Sequence, residues 1–203
     1  MASGNTYLVH NRKRYLQKQV SESDLRKWFT NSLKRIDKNK HIVVFDIDET
    51  LFLNNDHNDT VKPNHVVLTF CKKCIKQGIP VYLITARRDS DENRGWTKGQ
   101  LKTVGLHEES STRPGYKKLY MRPASYRTTH LISKFKKCCR KRISQKEGKL
   151  IYVNVGDQWS DVFEFPNEKE FDNLVEADNR SYFIIQPVNE EYLMYSVKLR
   201  GDR

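Results

Sequence analysis

Two aspartates lie one residue apart at the end of an apolar run, in the stretch VVFDIDETLF. Neighbouring carboxylates raise each other's pKa and repel, so Asp46 and Asp48 require a nearby positive charge. Asp157 follows a second apolar run, LIYVNV. Carboxylate oxygens that converge, completed by water, are the ligands that Mg²⁺ prefers. If these three residues meet in the fold, they predict a magnesium site.

The elements that would position these aspartates alternate along the chain. Apolar runs predict strands at residues 41–45, 79–85, 118–121, 150–155 and 181–186, and amphipathic patterns predict helices at 21–36, 63–78, 91–104 and 130–143. Strands that alternate with helices predict an α/β fold with a parallel sheet. Ligands of open parallel sheets bind at the carboxyl ends of the strands, which is where the aspartates lie.

The composition indicates a basic protein of 203 residues with a net charge of +12. No apolar stretch approaches the ~20 residues that cross a bilayer. The first residues lack the features of a signal peptide, so we expect a cytoplasmic or nuclear protein that is not secreted. Residues 1–40 hold ten Lys or Arg against three Asp or Glu, and KFKKCCRKR forms a second basic block. Such charge is either a solvated surface or attracts phosphate-bearing partners, nucleic acid included.

The helix predicted at residues 21–36 has an apolar stripe that must pack against something. We therefore expect residues 1–40 to form a basic helical extension packed on a core domain of residues 41–203. Cys71 and Cys74 could form a zinc site with the cysteine pair of the basic block, but structural zinc sites usually have two C-x-x-C pairs. Because Cys71 and Cys74 lie on an apolar stripe, we predict that they are core thiols.

The aspartate motifs resemble those of the haloacid dehalogenase (HAD) superfamily of aspartate-nucleophile phosphotransferases. DIDET is similar to its first motif, DxDx(T/V), Thr85 at the end of IPVYLIT to the second, and GDQWSD to the fourth, GDxxxD. Together with ITAR, these motifs resemble the acid phosphatase-like branch, subfamily IIIB, whose third motif is a lysine in a pattern like YKSxxR. FKKCCR has that spacing, with Lys136 as the matching lysine and Lys134 and Lys137 as alternatives.

The resemblance implies a Rossmann-like HAD core and a role for each motif residue. Asp46 would be the nucleophile that becomes phosphorylated, and Asp48 would protonate the leaving oxygen and later deprotonate water. Thr85 and Lys136 would bind phosphoryl oxygens. The implied metal ligands are Asp46, the main-chain carbonyl of Asp48, Asp157 and, inside or just outside the coordination sphere, Asp161. Residues expected to bind substrate are Thr50, Arg87 and Arg140.

The function predicted from this resemblance is magnesium-dependent hydrolysis of phosphate monoesters through an aspartyl-phosphate. Too few residues separate DIDET from Pro63 for a separate cap domain, so we expect a minimal cap or none and an open site. An enzyme of the same superfamily that acts on nucleic-acid ends or on phosphoproteins is an alternative, favoured by the open site and the charge. A non-catalytic binding or storage protein on the same fold is the alternative from another class.

Overall fold

The computed structural model describes residues 6–10, 13–53, 61–162, 181–187 and 191–200. The elements in these ranges are, in chain order, β1 (Thr6–His10), β2 (Lys13–Val20), α1 (Glu22–Leu33), β3 (His41–Phe45), β4 (Phe52–Leu53), β5 (Lys62–Pro63), α2 (His65–Lys76), β6 (Val81–Arg88), α3 (Asp91–Thr103), β7 (Lys118–Arg122), α4 (Thr129–Glu147), β8 (Leu150–Gly156), α5 (Trp159–Val162), β9 (Tyr182–Pro187) and β10 (Leu193–Lys198). None of the helices in these ranges combines the length and apolarity needed to cross a bilayer.

Eight of these strands form one sheet in the order β1-β2-β9-β10-β8-β3-β6-β7. The strands from β10 to β7 are parallel, and β9, β2 and β1 extend the β10 edge by antiparallel pairing. Strand β3, which runs directly into Asp46, lies between β8 and β6. This mixed α/β architecture confirms the predicted Rossmann-like fold class.

Strand β3 is apolar at consecutive positions because both of its faces are covered. Side chains alternate across a strand, so Val43 and Phe45 belong to one core cluster and Ile42 and Val44 to another. Buried residues of α1, α2 and α3 join the first cluster, and Phe135, Cys139 and Ile143 of α4 join the second. Helices therefore cover both faces of the sheet. Because β3, β6 and β8 are parallel, their carboxyl ends share one edge of the sheet.

Helices α1, α2 and α3 begin after polar side chains that cap them. At α1, the Ser21 side chain accepts a hydrogen bond from the Asp24 amide at 3.1 Å. Helix α2 begins after Asn64 rather than at Pro63, because the Asn64 side chain accepts from the Val67 amide. These side chains satisfy amide groups that have no partner within the helix.

Residues 6–10 and 13–20 form strands, where the sequence analysis expected a helical extension. Strands β1 and β2 pair antiparallel, and β2 joins the sheet through β9, with Gln17 opposite Ile185. The partner strand lies near the other end of the chain, so no local pattern indicates this pairing. Helix α1 does pack on the core as expected, with the Phe29 ring stacked on Phe70 at 4.3 Å. The division of the chain at residue 40 stays a prediction.

The cysteines lie in different cores. Cys71 and Cys74 are buried in the first cluster and Cys139 in the second, on opposite sides of the sheet, while Cys138 is exposed. They therefore do not converge on a shared zinc site, and the prediction of core thiols fits Cys71 and Cys74. Residues 54–60, where a cap after the first motif would be inserted, lie outside the described residues, so the minimal cap stays a prediction.

Candidate active site

The loop after β3 presents the first motif at the edge of the sheet. The Asp46 amide donates a hydrogen bond to the Val155 carbonyl of β8 at 2.9 Å, which ties the loop to the neighbouring strand. Ile47 points into the core, whereas Asp46 and Asp48 on either side of it face the opposite way. The turn requires a left-handed backbone at Glu49, where φ is +52°, an uncommon conformation for a residue other than glycine.

Three buried aspartates converge at this edge. Asp46, Asp157 and Asp161 each bring a carboxylate oxygen into a group whose members all lie within 4.8 Å of one another. Asp157 follows β8, the parallel neighbour of β3, and Asp161 lies on α5. Within the described ranges, this is the one group of His, Cys, Asp or Glu side chains close enough to share a metal ion.

Lys136 of α4 supplies the positive charge that these carboxylates require. Its buried Nζ donates to Asp46 Oδ1 at 3.0 Å and also contacts Asp161 Oδ1. Helix α4 turns this face toward the sheet and leaves Lys134 exposed to solvent. Of the lysines that the sequence left open, Lys136 is therefore the one that contacts Asp46.

One lysine does not balance three buried carboxylates, and the pKa values reflect this. Burial raises the pKa of Asp46 well above its usual value, although Lys136 opposes the shift. Burial and the charge of Asp161 raise the pKa of Asp157 to about 7. Burial lowers the pKa of Lys136, but the carboxylates of Asp161 and Asp46 outweigh it and raise that pKa overall. A divalent cation among these carboxylates would favour their ionised forms.

The loop after β8 is shaped to hold its two aspartates. Gly156 leaves room for Asp161, because a Cβ at that glycine would lie 2.3 Å from the Asp161 Cβ. The Gln158 amide donates to Asp161 Oδ2 at 3.0 Å, and Asn154 Nδ2 donates to the Asp161 carbonyl at 2.8 Å. A buried excess of negative charge on hard oxygen donors fits a divalent metal ion.

Asp48 occupies a different environment, at the end of β6. Its carboxylate accepts a hydrogen bond from the Thr85 hydroxyl at 3.3 Å. It also accepts two from Arg87, with Nε at 2.9 Å and Nη2 at 2.6 Å. The register of β6 against β7 shifts between Thr85 and Arg88. Such an irregularity re-aims side chains where a strand leaves the ladder.

A cavity of about 110 Å³ opens where these residues meet. Its walls carry Asp46, Asp48, Glu49, Lys136 and Asp157, together with residues from the first turn of α4. Glu49 lines the cavity although it was not predicted as a site residue, and its place inside DIDET was a signal for it. The first turn of α4 was not predicted as part of the site either, because nothing in its sequence indicates that it folds over the aspartates.

The residues predicted to bind substrate do not line this cavity. Thr50 is buried, and its hydroxyl donates to Asp157 Oδ1 at 3.3 Å. Arg87 is bonded to Asp48. Arg140 lies one helical turn after Lys136 and is only 2% exposed. Its Nε has no hydrogen-bond partner in the part of the chain that the structure describes. Contact of these three residues with substrate stays a prediction.

The chain is an α/β protein whose candidate active site lies at the carboxyl ends of its parallel strands. In this site, three buried carboxylates and one buried lysine lie close together. A family model of the HAD superfamily, subfamily IIIB (acid phosphatase), matches residues 54–187, well over half of the chain. The chain belongs to this family, which makes it a phosphoric monoester hydrolase. The match includes Thr85, Lys136 and Asp157, and begins after the loop that carries Asp46. No curated protein matches the chain.

Proposed function

We propose that this phosphatase is a magnesium-dependent enzyme that forms an aspartyl-phosphate on Asp46. The observation that carries the proposal is the position of Asp46. It lies at the wall of the cavity, 3.0 Å from the Lys136 ammonium and among the carboxylates of Asp157 and Asp161. A nucleophile for phosphoryl transfer needs such nearby positive charge, because the phosphoryl group is itself anionic.

The proposed reaction uses both aspartates of DIDET. A carboxylate oxygen of Asp46 attacks phosphorus, and the bond between phosphorus and the leaving oxygen breaks. Asp48 gives its proton to that oxygen. Asp48 then takes a proton from a water molecule that attacks the phosphorylated Asp46, and the bond between phosphorus and Asp46 breaks to release phosphate. Lys136 holds a phosphoryl oxygen during both steps, and Thr85 does so once its hydroxyl turns from Asp48 to the phosphoryl group.

The metal site of the proposal consists of Asp46, Asp157, the main-chain carbonyl of Asp48 and, inside or just outside the coordination sphere, Asp161. Oxygen donors of this kind suit Mg²⁺, which usually keeps several waters and binds through one or two carboxylates and substrate phosphates. The ion would supply positive charge that keeps the carboxylates ionised and attracts the phosphoryl group. Thr50 supports this arrangement by donating its hydroxyl to Asp157.

The decisive test is Asp46→Asn, which keeps the shape of the side chain and removes the nucleophile. We expect turnover of a phosphate monoester to fall by at least about 10²–10⁴-fold while the protein remains folded. Acid quenching during turnover, followed by mass spectrometry, should find a phosphoryl group on a peptide containing residue 46 in the wild type only. Asp91→Asn, at an exposed position, is the control. Comparable activity in purified Asp46→Asn would rule out the mechanism.

The substrate of the proposed enzyme is either a small ester or a macromolecule. A nucleic-acid end as substrate rests on the open site and the basic charge expected from the sequence, and the family match does not favour it. The test is binding of a single-stranded oligonucleotide at several salt concentrations, where log affinity should fall by about 0.7 per contacted phosphate for each log unit of salt. The contribution of the basic residues 1–40 to this binding is best tested with neutral replacements of the exposed lysines Lys18, Lys27 and Lys34. Removing the whole segment would disturb the fold, because Leu25 and Phe29 pack in the core. The cytoplasmic or nuclear location also stays a prediction.

A further inference from the structure

Arg87 is held on two sides. Its Nε and Nη2 donate to the Asp48 carboxylate, and its Nη1 donates to Thr97 Oγ1 at 3.0 Å and to Gln100 Oε1 at 2.6 Å. The side chain of Arg87 is 9% exposed. The guanidinium donors therefore point in directions that α3 and the DIDET loop fix together. Such a fork carries geometric information that a lysine ammonium does not.

An aromatic side chain of the same helix covers the guanidinium plane. The Arg87 Cζ lies 4.5 Å from the centroid of the Trp96 ring, within the range of a cation–π contact. Trp96 and Gln100 are four residues apart and therefore lie on one face of α3, with Thr97 beside them. We call this face of α3, formed by Trp96, Thr97 and Gln100, the Arg87 support.

The Arg87 support bears on catalysis because of what Arg87 touches. Asp48 lines the cavity with its side chain 38% exposed, so packing alone does not immobilise its carboxylate. Arg87 and Thr85 together engage that carboxylate from the side of β6. The direction in which the Asp48 carboxylate faces the cavity therefore depends on its bonds to both Arg87 and Thr85.

We propose that Arg87, held by Trp96, Thr97 and Gln100, is a positioning residue that orients Asp48 for proton transfer to the leaving oxygen. The inference rests on the proposed function and adds four residues to it. Arg87 acts through Asp48, and α3 acts through Arg87. A displaced Asp48 should therefore protonate the leaving oxygen less effectively while phosphoryl binding at Lys136 is unchanged.

This role predicts a dependence on the leaving group. An alkyl phosphate such as glycerol phosphate leaves as a strongly basic alkoxide and needs the proton, whereas p-nitrophenyl phosphate leaves as a weakly basic phenolate and hardly needs it. Loss of a positioned acid typically costs about 10²–10⁴-fold on a substrate that requires it. Disturbing Arg87 should thus lower kcat on glycerol phosphate far more than on p-nitrophenyl phosphate.

The experiment measures kcat and KM for both esters, with magnesium present, in Arg87→Met and in the double variant Thr97→Val with Gln100→Met. The double variant keeps Arg87 and removes two of its acceptors. We expect the ratio of kcat on the alkyl ester to kcat on the aryl ester to fall at least about 10-fold in Arg87→Met and by a smaller factor in the double variant. Arg87→Lys should restore part of the ratio. Lys98→Ala is the control on α3, because Lys98 pairs with Glu108 at the surface.

A variant cycle separates positioning from a general loss of structure. If Arg87 acts through Asp48, then Arg87→Met should change the ratio little in an Asp48→Asn background. Equal losses on both esters, in Arg87→Met and in the milder double variant, would overturn the inference and leave the proposed function standing. A higher KM at unchanged kcat would also overturn it, because Arg87 would then contact substrate. If Asp46→Asn hydrolyses both esters as fast as the wild type does, the proposed function fails and the inference with it.

Discussion

Asp161 packs directly against the backbone of Gly156, since a Cβ on that glycine would lie 2.3 Å from the Cβ and 2.4 Å from the Cγ of Asp161. Non-bonded carbon atoms do not approach this closely, because their optimal separation is about 3.5–4.0 Å. The first and last residues of GDQWSD are therefore fitted to each other, and the absence of a side chain at Gly156 is what lets the Asp161 carboxylate reach its place beside Asp46 and Asp157.

We expect Gly156→Ala to displace Asp161 and weaken the response to magnesium by about 10–100-fold, as loss of supporting contacts around a metal typically does. Overpacking should also lower the free energy of unfolding by about 1–3 kcal/mol. Magnesium titrations of activity and urea unfolding would measure both effects. Gly99→Ala is the matched control, because nothing lies within 4 Å of a Cβ at that helical glycine. If both variants respond to magnesium like the wild type, the fit at Gly156 has no role in metal binding.

Lys136→Met should strongly destabilise the metal-free protein. Removing the lysine leaves the buried carboxylates of Asp46 and Asp161 without their positive partner, which typically costs about 3–5 kcal/mol. Magnesium should recover part of this loss and should stabilise the variant more than the wild type. Urea unfolding with chelator or with magnesium would measure the difference.

The control for that experiment is Lys134→Met, two residues earlier in α4 and exposed. It should change the free energy of unfolding by no more than about 0.5 kcal/mol, as surface substitutions usually do. Equal effects of the two methionine variants would contradict the buried ion pairs of Lys136.

The metal-free protein should become less stable as the pH rises toward neutrality. The pKa of Asp157 is about 7 in the folded protein and near 3.8 in an unfolded chain. Between these values the folded protein binds a proton that the unfolded chain has released, so its free energy of unfolding falls with rising pH, by a few kcal/mol in total. Asp157→Asn should reduce this slope, and magnesium should reduce it too, because the ion displaces the proton. Urea midpoints in chelator between about pH 4.5 and 7.5 would test the sign, and a rise in stability across that range would contradict it.

Cysteine reactivity should separate exposed from core thiols. Burial raises the pKa of Cys71 to about 12 and that of Cys74 well above its usual value, so neither offers a thiolate at neutral pH. We expect iodoacetamide to label the exposed Cys138 in the folded protein and to reach Cys71 and Cys74 only after denaturation, as followed by peptide mass spectrometry. Rapid labelling of Cys71 in the native state would contradict its place in the core.

The sequence predicted the parts of the site that depend on local patterns. DIDET and GDQWSD follow apolar runs that form β3 and β8, and the spacing of FKKCCR pointed to Lys136 while leaving Lys134 and Lys137 as alternatives. Arg87 was predicted as a substrate contact, whereas the structure bonds it to Asp48. The sequence could not show this bond, because it depends on how β6 ends and on where α3 lies. With 37 Lys and Arg in the chain, the sequence alone does not indicate which of them pairs with Asp48.

The elements that the sequence failed to predict depend on distant partners. Strand β2 contains Leu16 and Val20 in a stretch dominated by basic and amide side chains, and the backbone of β9 is what makes it a strand. Glu49 lies inside a recognised motif, but its left-handed backbone and its place at the cavity follow from the turn that the loop makes after β3. Tertiary context overrides local propensity at such positions.

The pairing of β2 with β9 also has a consequence for biosynthesis. Residues 13–20 leave the ribosome well before residues 182–187, which form the strand that pairs with them. At about 5–20 residues per second, the β2 edge waits on the order of ten seconds for its partner. Its exposed Lys18 is the kind of charge that discourages a waiting strand from pairing with another nascent chain. We expect this charge to keep the β2 edge unpaired until β9 has been made.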